Sequence, residues 1–184
     1  MLNTALLLID FQNDYFADGK WELEGTQAAA DNGARLLAEF RNKGLPVVHV
    51  RHEFSAEDAP FFVAGSEGAR IHTSVAAQEG EPVVLKHAAN SFRDTNLKAT
   101  LDELKIDNLV VVGAMSHMCI DAGVRAAADF GYEVTVAQDA CATRDQEFNG
   151  ITVPAKQVHA AFMAALGFAY ARIADTKELL AEMR

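Results

Sequence analysis

Short apolar runs recur along the chain at Ala5 to Ile9, Val47 to Val50, Val83 to Leu85, Leu109 to Val112 and Val134 to Val136, with a weaker one at Ala171 to Ile173. They are continuous rather than alternating, which is the pattern of strands covered on both faces. Helical stripes lie between them. Leu36, Leu37 and Phe40 form one stripe and Leu97, Leu101 and Leu104 a second. Ile120, Val124 and Ala127 form a third, and Val158, Phe162 and Leu166 a fourth. Asp94 or Thr95 is placed to cap the second helix, while Gly131 and Gly167 suit helix exits. Strand and helix alternate with connections long enough for crossovers, so the pattern predicts an α/β fold with a parallel sheet and helices on both faces. No repeat, low-complexity tract or linker divides the chain, and residues 1–184 read as one domain. The stretch from Glu53 to Pro82 is too long and mixed for a tight crossover. Its Phe61, Phe62 and Val63 point to packing against a site or a neighbouring subunit rather than full solvation.

Composition narrows the class. Half of the 184 residues are hydrophobic and 23% are charged, as in compact globular proteins and unlike disordered chains. Acidic residues outnumber basic ones by 26 to 16, for a net charge of −10, so neither a nucleic acid nor an anionic membrane is an expected partner. No apolar run reaches the roughly 18 residues that span a bilayer. The opening MLNTALLLIDFQND lacks a basic leader and reads as a buried first strand rather than a secretion signal. The two cysteines, Cys119 and Cys141, make no disulfide framework. A cytoplasmic protein with reduced thiols is the expectation.

Ligands of open parallel sheets bind at the carboxyl ends of strands, near the point where strand order reverses. Asp10 ends the first apolar run, Lys86 follows the third, and Gly113 ends the fourth, with AMSHMC leading into a helix whose first turn should hold Cys119. Singly, each has a plain structural explanation as a cap, a surface charge or a small buried hydrophobe. Jointly they offer an acid, an amine and a thiol at one end of the sheet. A thiol at a helix N-terminus also meets the positive end of the dipole, which favours thiolate. Cys141, in DACATRD, has no such setting and reads as structural.

The segments LLLIDFQNDYF, VVLKHAANSFRDTNL and LVVVGAMSHMCIDAGVRAAADFGYEVTVAQDACAT, in this order and spacing, resemble the isochorismatase-like cysteine hydrolase superfamily. That family includes nicotinamidases, N-carbamoylsarcosine amidohydrolases and isochorismatases. The resemblance spans nearly the whole chain and implies a three-layer α/β/α sandwich whose six-stranded parallel sheet has the order 3-2-1-4-5-6. It implies Asp10 as general base, Lys86 as catalytic lysine and Cys119 as nucleophile. It further implies an oxyanion hole from the backbone N–H groups of Met115 and Cys119, with a cis peptide between Ala114 and Met115. The chemistry suits the residue types. A thiol needs an acceptor for its proton and a positive neighbour, and the tetrahedral oxyanion needs fixed donors.

Two departures bear on the reaction. Metal-binding nicotinamidases carry an Asp-x-His pair after the second strand, whereas this chain reads VVHVRHEFSAED. His49 and His52 are three apart and face opposite ways on a strand. A set of His52, His72 and Asp58 stands below the metal-free reading, so no metal or other cofactor is expected. His52 then bonds within its loop or lines the pocket, and His72, His87, His117 and His159 read as ordinary bonded histidines. Isochorismatases acting on a vinyl ether commonly lack the cysteine, so Cys119 favours an amide or related C–N acyl substrate. Tyr15 matches an aromatic residue beside the substrate in amidase members. Trp21, Asn90 and Phe92 are further pocket candidates, with core packing an equal reading for Phe92. The alternatives are ether hydrolysis with Asp10 as acid, or a catalytically idle scaffold. The family resemblance also implies a homo-oligomer, and the partner otherwise expected is a small-molecule substrate.

Overall fold

The computed structural model describes residues 3–184. Met1 and Leu2, which open the first apolar stretch, lie outside the described residues. Six strands form one parallel sheet: β1 (Thr4–Ile9), β2 (Val47–His52), β3 (Val83–Lys86), β4 (Asn108–Ala114), β5 (Glu133–Ala142) and β8 (Arg172–Ala174), in the order β3-β2-β1-β4-β5-β8. The sixth strand of the sheet is thus the eighth of the chain. An antiparallel hairpin of β6 (Gln146–Phe148) and β7 (Ile151–Val153) precedes it.

The continuous apolar runs follow from cover on both faces. Leu6 and Leu8 of β1 join Leu36, Leu37 and Phe40 of α1 (Thr26–Asn42) and Leu179 of α5 (Thr176–Glu182) in one buried cluster. Ala5, Leu7 and Ile9 point the other way. They meet Leu97 and Leu101 of α2 (Leu97–Glu103), Val124 of α3 (Asp121–Asp129), and Met163 and Leu166 of α4 (Ala155–Ala169). Alternate residues of one strand therefore serve two cores, which is why the strand shows no polar face.

Three expectations need correction. At the sheet edge, β3 buries Val84 and Lys86 but exposes Val83 and Leu85, so it is covered on one face only. Gly167 does not end its helix. It lies within α4, where a Cβ would sit 3.1 Å from Ile173 Cγ1, so its small size permits close packing on β8. The apolar start of the hairpin tip escaped the strand pattern: Phe148 and Ile151 are exposed on either side of an Asn149-Gly150 turn, both with positive φ. Gly131, by contrast, follows α3 with φ +91, as a helix exit requires. Thr95 rather than Asp94 supports the start of α2, its Oγ1 accepting from Leu97 N. Among the described residues, no helix is long and apolar enough to cross a membrane.

The polar residues just after β1 hold the long 53–82 segment in place. Gln12 is fully buried, and its Nε2 donates to the carbonyls of His52 and Ala69 at 2.7 and 2.8 Å while its Oε1 accepts from His52 N at 2.7 Å. Asp14 accepts from Phe62 N at 2.7 Å and from Lys20 N at 3.2 Å. Asn13 donates to Glu67 O. This stapling brings Phe61 and Phe62 onto Tyr15, with ring centroids at 5.6 and 4.5 Å, and stacks Phe61 on Trp21 at 4.8 Å. The segment is a packed aromatic cover beside the strand exits.

Candidate active site

Strand order makes β1 and β4 neighbours, and β2 and β3 lie next along the sheet. Asp10 leaves β1 with φ +54, a left-handed turn that Asp tolerates better than most residues. Its N–H donates to Val50 O at 2.9 Å, which fixes the turn against β2. Lys86 ends β3 directly opposite His52 in the β2–β3 register. Cys119 lies in a π-helical turn, Ser116–Ile120, that leads into α3. The turn starts after Gly113 and a cis peptide between Ala114 and Met115.

These elements converge on Lys86. Its Nζ is 2.8 Å from Asp10 Oδ2 and donates to Cys119 Sγ at 3.1 Å, to Ala88 O at 3.1 Å and towards His52 Nδ1 at 2.9 Å. Asp10 and Lys86 are 0% exposed, Cys119 5% and His52 6%. Burial raises the Asp10 carboxyl against the lowering effect of Lys86. Burial also disfavours the Lys86 ammonium, but the charges of Asp10 and Cys119 outweigh it and the pKa rises. Cys119 is pushed up to about 12, first by burial and then by the Asp10 charge, against the pull of Lys86. The resting sulfur is therefore a thiol. The expectation that the helix terminus favours a resting thiolate gives way to desolvation. Cys141 is also pushed to about 12, by burial, and lies opposite Gly113 in the β4–β5 ladder.

Of the other residues singled out from the sequence, Tyr15 is buried, and its pKa is raised by burial and then by the charges of Asp10 and Cys119, which puts it beside the cluster. Trp21 is half-buried, with Arg144 4.2 Å above its ring and its buried Nε1 without a hydrogen-bond partner among the described residues. Asn90 Oδ1 accepts from Phe92 N at 2.9 Å and so shapes the turn after Lys86. Phe92 packs on Phe130 and Tyr132, in the core beneath the helices. Met115 is buried and accepts from Met118 N and Ile120 N through its carbonyl, which closes the π-turn.

Among the described residues, Asp10, His52 and Cys119 form the one close set of metal-type donors, with one atom of each within 4.8 Å of the others. The Lys86 ammonium already touches all three, so a further cation there would meet its charge. His72 does not join His52: it stacks on Phe16 at 3.6 Å and accepts from Ser74. His49 faces the opposite way from His52 and pairs with Glu81, which Arg41 grips through both carboxylate oxygens. His87, His117 and His159 bond Glu53 O, Thr143 and Ser116 respectively. Gln12 and Asp14 are the residues that sequence reasoning passed over. The polar run Gln12-Asn13-Asp14, two residues beyond the end of a buried strand, was the available signal.

His52 has a measurable consequence for stability. Burial, then the charges of Lys86 and His87, lowers its pKa from 6.5 to about 3. Below pH 6.5 the unfolded chain takes up a proton that the folded chain refuses until about pH 3, so this contribution to stability is lost as pH falls through that window. The slope is at most about 1.4 kcal/mol per pH unit. Urea titrations at pH 7 and pH 4.5 should show wild type losing about 2 kcal/mol more than His52→Gln, and equal losses would contradict the buried neutral ring.

The sequence profile of the Isochorismatase domain matches residues 4–167. The chain is 49% identical over 179 residues to the uncharacterized isochorismatase family protein YddQ of Bacillus subtilis (strain 168), covering 97% of this chain and 99% of that one. It is 30% identical over 157 residues to maleamate amidohydrolase of Pseudomonas putida, covering 78% of this chain and 74% of the relative. A crystal structure assigned to the isochorismatase hydrolases, from Oleispira antarctica, superposes with a TM-score of 0.95 at 68% identity, covering 98% of both chains. With the profile spanning most of the residues that build the sheet and the Cys119 turn, the chain belongs to the isochorismatase family.

Proposed function

We propose that the chain is a cysteine-dependent hydrolase of a small amide or related C–N acyl compound, working through a thioester on Cys119. The observation that carries this reading is the fully buried Lys86 Nζ, 2.8 Å from the Asp10 carboxylate and 3.1 Å from the Cys119 sulfur. The similarity to an amidohydrolase supports the substrate class.

With a resting thiol, activation is a proton transfer. The S–H proton passes to Asp10, and Lys86 stabilises the sulfur anion left behind. The thiolate attacks the acyl carbon, and the oxyanion is held by the N–H groups of Met115 and Cys119. As the C–N bond breaks, Asp10 returns its proton to the leaving nitrogen. Asp10 next takes a proton from water, whose oxygen attacks the thioester, and the thiol reforms as the acid leaves. Each proton taken up by Asp10 is returned, so the cycle closes.

The test is a panel of maleamate, nicotinamide, simple aliphatic amides and isochorismate, with intact mass recorded during turnover. An amide of the panel should turn over and leave an acyl adduct on the chain. Burial raises both thiols, but only Cys119 has a base to take its proton and an ammonium to hold the resulting anion. Iodoacetamide should therefore modify Cys119 well before Cys141. Turnover of isochorismate alone, with no adduct, would instead favour Asp10 as a simple acid, a second reading supported by its raised carboxyl pKa.

A further inference from the structure

The turn that carries Cys119 is held from outside the Lys86 cluster as well. Ser116, its first residue, is fully buried. The Ser116 Oγ lies 2.8 Å from His159 Nδ1 on α4 and 3.3 Å from Ala142 O at the end of β5. A hydroxyl has one proton, so it donates to only one of the two at a time. On the far side of the ring, His159 Nε2 is 3.2 Å from Gln138 Oε1, and Gln138 Nε2 donates to Asp175 Oδ1 at 2.5 Å.

This chain of bonds selects the tautomer of the ring. A carboxylate only accepts, so Gln138 turns its NH2 towards Asp175 and its oxygen towards His159. An oxygen opposite Nε2 requires the ring proton there, which leaves Nδ1 bare. The opposite tautomer would set two acceptors against each other at 3.2 Å. Burial lowers the His159 pKa from 6.5, so the ring is neutral at pH 7. The Ser116 hydroxyl therefore donates to His159, the nearer of its two neighbours. That bond ties the opening of the π-helical turn to α4, while Met115 O closes the turn from within.

We propose that His159 is a positioning residue: through Ser116 it holds the turn whose Met115 and Cys119 N–H groups receive the oxyanion. The inference rests on the acyl-transfer reading given above. Met115 directly precedes Ser116, and Cys119 follows it within the same π-helical turn, so a shift at Ser116 displaces both donors. The sulfur has a tether of its own, the Lys86 N–H at 3.1 Å. Loss of the His159 bond should therefore impair a reaction that forms an oxyanion far more than one that uses the sulfur without forming any. The network orients the turn, and no proton moves along it during turnover.

Two probes separate those reactions. Acyl transfer from p-nitrophenyl acetate passes through a tetrahedral oxyanion in both acylation and deacylation, whereas alkylation by iodoacetamide displaces iodide without one. At pH 7.5, His159→Leu and Ser116→Ala should each lower kcat for p-nitrophenolate release about tenfold, with KM and the Cys119 alkylation rate within about twofold of wild type. The double variant should lose no more than either single one, since both break the same link. His159→Asn, whose Oδ1 replaces Nδ1 as the acceptor, should recover to within about threefold of wild type. Normal release in both single variants overturns the inference. So does a loss confined to KM, a loss that multiplies to about a hundredfold in the double variant, or one that His159→Asn fails to relieve. Alkylation slowed as much as release overturns it too, because the fault then lies in the nucleophile or the fold. Release by wild type no faster than by Cys119→Ala would instead remove the thioester reading, and this inference with it.

Discussion

Replacing Cys119 with alanine is expected to lower amide turnover by at least about three orders of magnitude while shifting stability by no more than about 1 kcal/mol. The activity loss follows from the route: without sulfur there is no thioester, and Asp10 and Lys86 have nothing to activate. The small stability change follows from the proton tally around Lys86. Removing the sulfur takes away one Lys86 hydrogen bond, and the Asp10 carboxylate 2.8 Å away is placed to take the freed N–H, so no buried donor is orphaned. Steady-state rates on the amide found in the panel, together with urea titration, check both halves. Retained turnover would sink the thioester route and leave Asp10 assisting attack on the amide without a covalent intermediate. A collapse in stability would show that the sulfur is part of the packing rather than the chemistry.

The second large effect concerns Gly113, at the exit of β4. A Cβ there would lie 1.9 Å from Ile9 O and within 3 Å of Ile9 C and N, at φ +131. Those atoms are backbone of the adjacent strand, where Ile9 pairs with Gly113, and they cannot swing aside. Gly113→Ala should therefore cost more than about 4 kcal/mol, enough to deplete folded protein in cells. Gly131 provides the control. Its φ is +91, but none of the described residues lies within 4 Å of the added Cβ, so Gly131→Ala should cost only about 1–2 kcal/mol. Comparable losses in the two variants would mean that backbone conformation, not the approach to Ile9, makes Gly113 indispensable. The consequence reaches function, because this close approach brings the Cys119 turn beside Asp10.

Where local pattern and final environment coincide, the sequence was legible. The run from Ala5 to Ile9 is a strand covered on both faces because Leu6 and Leu8 face one helical layer while Leu7 and Ile9 face the other. Gly167 misled because its small size serves contact with Ile173 rather than a helix exit. The β6–β7 hairpin was missed although Asn149-Gly150 is a turn signal, since each strand has three residues and no buried face. Gln12 and Asp14 went unnoticed because their partners, Ala69 and Phe62, are supplied by a distant segment.

Residue order and periodicity suffice for the architecture and for naming an acid, an amine and a thiol at strand exits, because those features repeat within a few residues. They cannot set protonation. Whether Cys119 rests as thiol depends on burial and on the charges of Asp10 and Lys86, brought from two other strand exits. That Lys86 meets Asp10, His52 and Cys119 together depends on the β2–β3 register and on the stapling of residues 53–82. Electrostatic energies vary with distance and dielectric surroundings, and both come into existence only when the chain has closed on itself.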